Sequence, residues 1–166
     1  MNCWLLRPIV NLPDAEYSRL TIVDPFLKRL FRKDKGGILD VKLLTATGKV
    51  INVEVQVLRF AAIRKRILYY HSKLLWEQLR GGDAYGRIQQ VICVVICNHL
   101  LPEEAGGGFP SGLPGGEAAW REEGRAGRYL RSFSLRDDVT GESFTDLIKV
   151  ITIELPRVPE EADQSP

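Results

Sequence analysis

An α/β or α+β domain built on one mixed central β-sheet with flanking helices is the fold class this chain predicts, and three observations predict it. Residues 38–42 and 51–57 are strand-like segments around a glycine-containing turn, which gives an antiparallel hairpin. From residue 60 to residue 79, Phe60, Ile63, Ile67, Tyr70, Leu74, Leu75 and Leu79 recur at the three-to-four spacing of an amphipathic helix. The Val- and Ile-rich run 88–97 follows that helix, so it reads as a buried strand able to lie parallel within the sheet.

The elements follow in order. Residues 17–23 read as a first strand, stopped by Asp24-Pro25 because proline removes a backbone donor and restricts the residue before it. A basic connector with Lys28, Arg29, Arg32, Lys33 and Lys35 leads into the hairpin. Strand side chains alternate faces, so Leu39, Val41 and Leu43 share one side while Asp40 and Lys42 share the other. In the second strand Ile51, Val53, Val55 and Val57 form the apolar face, and Asn52, Glu54 and Gln56 project oppositely. A two-residue loop at Thr47-Gly48 would pair Asp40 with Val55 and set it on the wrong face. An odd-length loop or a bulge is therefore expected, with Gly48 at positive φ, and it brings Asp40 close to Glu54 and Gln56. Neighbouring carboxylates repel unless a cation or a proton separates them, which makes the cluster a candidate Mg²⁺ site. The residues alone also fit a solvated outer face.

After the hairpin comes the helix, expected to end at Gly81-Gly82, then the buried strand. Residues 102–127 hold eight of the fifteen glycines with several prolines, the composition of a flexible insertion. Residues 128–136 and 147–155 read as strands around a turn near 138–141, and a polar tail follows, disordered over 159–166. The expectation is one domain over residues 1–158.

The chain has 166 residues, 45% hydrophobic and 27% charged, with a net charge of +2, ordinary values that by themselves argue against neither enzyme nor binding module. That charge is too small for a strong nucleic-acid field, so local clusters matter more. Lys42, Arg64, Lys65 and Arg66 are the candidates to meet phosphates beside the acids, with a solvated charged face as the alternative. Cys3, Cys93 and Cys97 lack metal or disulfide spacing and suit a reducing compartment. No apolar stretch has the length of a membrane span and no signal peptide is evident, so a cytoplasmic location without membrane partners is expected. His71 and His99 have no partners at ligand spacing.

Leu39-Asp40-Val41-Lys42, the run from Gly48 through Val53-Glu54-Val55-Gln56, and Arg66-Ile67-Leu68-Tyr69-Tyr70-His71-Ser72-Lys73-Leu74 together resemble bacterial recombination-promoting nucleases and transposases of the Rpn type, within the PD-(D/E)XK nuclease superfamily. Gly82-Asp83-Ala84-Tyr85, residues 91–97, Phe144-Thr145-Asp146-Leu147 and Ile153-Glu154-Leu155-Pro156 extend the resemblance in the right order. It implies a restriction-endonuclease-like core and a Mg²⁺-dependent DNA endonuclease, with Mn²⁺ as a substitute ion, DNA as partner and a homodimer as one form of assembly. It further implies Asp40 and Glu54 as metal ligands, Gln56 where the wider superfamily has lysine, and Tyr70 and Lys73 as the helix signature. Gln56 cannot take a proton, so it can orient water or phosphate but not act as base. Lys73, three residues from Tyr70, is placed to supply the charge that Gln56 lacks. The family's opening helix motif is not in its usual place, so an N-terminally truncated domain is expected. The alternative function is an inactive remnant that binds nucleic acid or protein.

Overall fold

The computed structural model describes residues 6–27, 37–59, 61–101 and 128–159. The expected insertion at 102–127, the basic connector at 28–36, Phe60 and residues 160–166 of the tail lie outside the described residues.

Two short helices, α1 (Arg7–Val10) and α2 (Asp14–Tyr17), precede strands β1 (Thr21–Val23), β2 (Phe26–Leu27), β3 (Gly37–Ile38), β4 (Val41–Leu44) and β5 (Val50–Gln56). Helix α3 (Ile63–Trp76), a 3₁₀ turn at Tyr85–Arg87, strands β6 (Val91–Cys97), β7 (Leu130–Ser134) and β8 (Ile148–Glu154), and a second 3₁₀ turn at Leu155–Arg157 complete the order. The principal sheet has six strands in the order β1-β4-β5-β6-β8-β7. Its β5, β6 and β8 run parallel, while β1, β4 and β7 join antiparallel, so the sheet is mixed as expected. The central β6, Val-Ile-Cys-Val-Val-Ile-Cys, is apolar on both sides because both of its faces are covered.

On one face Val50, Val91, Cys93, Val95 and Cys97 pack against Ile63, Ile67 and Leu74 of α3. On the other, Leu43, Ile51, Ile92, Val94, Ile151 and Ile153 surround Val10, with Leu6, Ile9 and Leu12 beside it. The covering of both faces overturns the solvated-face reading of the hairpin. Asn52, Glu54 and Gln56 point toward α3 and are buried, while Val55 and Val57, expected on the greasy side, are 53% and 63% exposed at the strand's end. The α1 segment packs against Ile51 and Val53 but leaves that end of β5 open.

Other boundaries moved for local reasons. Tyr17 closes α2 rather than opening β1, since Asp14, Ala15 and Glu16 before it favour a helical turn with its acids at the N-terminal end. Helix α3 stops at Trp76, five residues before the expected glycines, although Gly82 does adopt φ +90° in the turn beyond. The strands β7 and β8 and the turn between them, with Gly141 at φ +72°, match expectation.

The hairpin register pairs Val41 with Val53 and Leu44 with Val50, across a five-residue loop from Thr45 to Lys49. The odd length is the one anticipated, and Gly48 sits at φ +89°. Glu16 holds this loop: its carboxylate accepts from the Thr45 hydroxyl at 2.7 Å and from the Thr47 hydroxyl and amide, and pairs with Lys49 Nζ at 3.0 Å. Its backbone carbonyl accepts from the Ala46 amide at 3.1 Å. Burial pushes the Glu16 carboxyl up, but hydrogen bonds from Thr45, Lys49 and Thr47 outweigh it and hold the group at about 2.

A depressed carboxyl contributes stability that is present above its unfolded value of 4.5 and lost as pH falls through about 2. Glu16→Gln is therefore expected to destabilise the fold by about 2 kcal/mol at pH 7. In urea unfolding the gap to the unsubstituted protein should narrow steadily below pH 4.5; a gap independent of pH would disprove the charged clamp.

Candidate active site

Strand β4 begins one residue after Asp40, and continuing its register by one step sets Asp40 across from Glu54. The Asp40 Oδ2 accepts from the Val55 backbone N–H at 2.7 Å, which fixes the carboxylate at the hairpin's open end. Asp40 is exposed and Glu54 is only 4% exposed, so the pair spans the boundary between solvent and core.

The period of two places Asn52 and Gln56 on either side of Glu54. Asn52 Nδ2 donates to Glu54 Oε1 and Gln56 Nε2 donates to Oε2, both at 3.4 Å. From the first turns of α3, the Arg66 guanidinium reaches Glu54 Oε2 at 3.6 Å and stacks 5.2 Å over the Tyr70 ring. Asn52, Glu54, Gln56, Arg66, Tyr70 and Cys93 line a cavity with about 10 Å³ open to the centre of a water, room for a single molecule. Burial raises the Glu54 carboxyl above its ordinary range and the charge of Asp40 raises it further, against the opposing pull of Asn52 and Arg66. A carboxylate so placed gains from a cation.

Beneath the pair, Cys93 Sγ lies 3.2 Å from His71 Nδ1. Burial pushes the thiol up to about 12 and the imidazole down to about 4, so at neutral pH both are uncharged, a poor nucleophile and a structural histidine.

The nominated residues separate into two groups. Asp40, Glu54, Gln56, Tyr70 and Arg66 come together. Lys73 does not line the cavity; its Nζ lies 5.2 Å over the Tyr69 ring, and Arg66 is the cation beside Glu54. Lys42 shares the sheet face but pairs with Glu77 at 3.0 Å beyond the last turn of α3, both side chains largely buried. Arg64 is half-buried and Lys65 exposed on the first turn of α3. Sequence reasoning nominated Arg66 only for DNA and gave Asn52 no role. The signals for both were present: Arg66 stands one helical turn from Tyr70, and Asn52 two residues from Glu54.

Among the described residues no group of three or more His, Cys, Asp or Glu is disposed to hold a metal ion. The donors available are the oxygens of Asp40 and Glu54 with the Gln56 amide oxygen, a hard set that suits a divalent cation retaining much of its water.

A mixed sheet with aspartate entering one strand, Glu-x-Gln on the next and a helix covering both defines a nuclease-like α+β domain of the PD-(D/E)XK type. The chain belongs to the PD-(D/E)XK nuclease family transposases, whose sequence pattern matches residues 4–106, more than half of its length. No curated protein matches it, and no solved structure matches it.

A raised carboxyl weakens the fold as pH climbs above the unfolded value of 4.5, because the native state must then give up a proton that it holds more tightly. Glu54→Gln is thus expected to raise the thermal unfolding midpoint at pH 8 in EDTA and to leave it unchanged below pH 4.5. A loss of stability at pH 8 would show that the buried charge is fully compensated.

Proposed function

We propose that the chain is a Mg²⁺-dependent DNA endonuclease, with Mn²⁺ able to substitute, and that Asp40 and Glu54 are its metal ligands. The supporting observation is the hairpin register, which sets these two acids against each other at the edge of a buried face. An ion bound there supplies Lewis acidity at the scissile phosphate and lowers the pKa of the attacking water.

The chain's own residues then have separable tasks. Asp40 is pinned through Oδ2 by the Val55 amide, so its carboxylate meets an ion without searching rotamers. Glu54 is oriented by Asn52 and Gln56. Gln56 has no ionisable group, so it orients water or phosphate and leaves proton removal elsewhere. Arg66, partly exposed beside Glu54, brings positive charge to the entrance of the site, and Tyr70 carries it. Lys73 acts on the site through the tyrosine pair, whose ring centroids are 6.0 Å apart. Arg64 and Lys65 are backbone contacts for DNA, whereas the charge of Lys42 is engaged by Glu77. Among the described residues no helix is long and apolar enough to cross a membrane. The buried free thiols Cys93 and Cys97 support a cytoplasmic location.

Nicking of supercoiled plasmid tests the assignment. Cleavage should require Mg²⁺ or Mn²⁺, and Glu54→Ala and Asp40→Asn should each lower it by about two orders of magnitude or more, the latter keeping the acceptor for Val55. Full activity in either variant, or none in the unsubstituted chain, would overturn it.

A further inference from the structure

We propose that Arg131 and Arg157, drawn together across the buried carboxylate of Glu154, form a phosphate-binding pair that grips the DNA backbone beside the cleavage site. This deepens the nuclease assignment and rests on DNA being the substrate. Glu154 ends β8 and is 1% exposed. Its Oε1 accepts from Arg131 Nη2 at 2.5 Å and from the Leu101 amide, and its Oε2 accepts from Arg157 Nε at 2.6 Å.

The sheet register relates this cluster to the acidic pair. Gln56 lies level with Cys97 and then Glu154, and Glu54 lies level with Val95, Thr152 and then Arg131, all on the face that α3 covers in part. At the usual strand spacing of about 4.8 Å, Glu154 stands about 10 Å and Arg131 about 15 Å along the sheet from the site strand. Those distances correspond to about three or four nucleotide steps of a DNA strand.

The charge balance also favours a ligand. One arginine neutralises Glu154, yet two are present, leaving the cluster one unit positive. Each described bond to Glu154 uses one guanidinium nitrogen, and Arg131 Nε, buried and without a partner among the described residues, leaves the other nitrogens of both groups to face outward. The remaining N–H groups form the planar donor sets that match phosphate oxygens. The side chains are 22% and 33% exposed, so a backbone phosphate can reach them, and Arg131 Cζ lies 5.6 Å from the centre of the Phe133 ring.

Fluorescence anisotropy of a labelled DNA duplex, titrated with salt in EDTA, separates binding from cleavage. Arg157→Gln should weaken binding about three- to tenfold and lower the slope of log affinity against log salt by about one. Glu154→Gln, which releases both guanidinium groups from their counter-charge, should tighten binding. Unchanged slope and affinity in variants shown by thermal melting to be folded would mean that the arginines only neutralise Glu154, and the pair would be overturned. If Arg157→Gln does not fold, Glu154→Gln decides alone: tighter binding supports the pair and unaltered binding rejects it. Absence of DNA binding by the unsubstituted chain in EDTA would overturn the pair, whereas the nuclease assignment stands or falls on Mg²⁺-dependent nicking.

Discussion

The grip of Glu16 on the loop from Thr45 to Lys49 is the contact on which the candidate site depends. A hairpin register has two parities, and changing from one to the other turns every side chain of a strand to the opposite face. Five loop residues fix the parity that sets Asp40 against Glu54, and Glu16 holds three of them by side chain and a fourth through its carbonyl. The residue is distant in sequence from the acids it serves. Its carboxylate is costly to bury, and the hydroxyls of Thr45 and Thr47 with the amine of Lys49 more than offset that cost.

Once the parity is fixed, burial by α3 changes the chemistry of what lies beneath. Glu54 would be an ordinary strand acid on an open sheet face. Under Ile63, Ile67 and Tyr70 it sits in low dielectric with an acid opposite, an amide on each side and one guanidinium near. The hydrogen bonds from Asn52 and Gln56 are long, so the carboxylate is oriented without being saturated. A site that stores charge this way is less stable than the fold could be, and a counter-ion relieves it.

The hairpin, the odd loop, α3, the parallel β6 and the closing pair β7–β8 were all legible, because each rests on periodicity or on a turn residue with a local demand. The two-residue strands β2 and β3 were not, since so short a segment carries no period. Alternation shows which residues share a face but not what covers it, and so the burial of Asn52, Glu54 and Gln56 was invisible until α3 was placed. Lys42 read as a free cation because Glu77, its partner, lies 35 residues away. The place of Arg66 beside Glu54 was hidden for a similar reason: helical spacing gives a face, whereas the distance to Glu54 depends on how α3 crosses the sheet.

The carboxylate of Asp40 divides its oxygens between architecture and chemistry. Its Oδ2 finishes the ladder by receiving the Val55 amide, a duty that an asparagine side-chain carbonyl performs as well. Only the charge distinguishes the two residues here. A lineage that exchanged one for the other would keep hairpin, register and packing while giving up the negative charge opposite Glu54. Any chemistry that depends on that charge would then be lost with almost no mark on the shape of the molecule, and descendants with and without it could persist in the same fold.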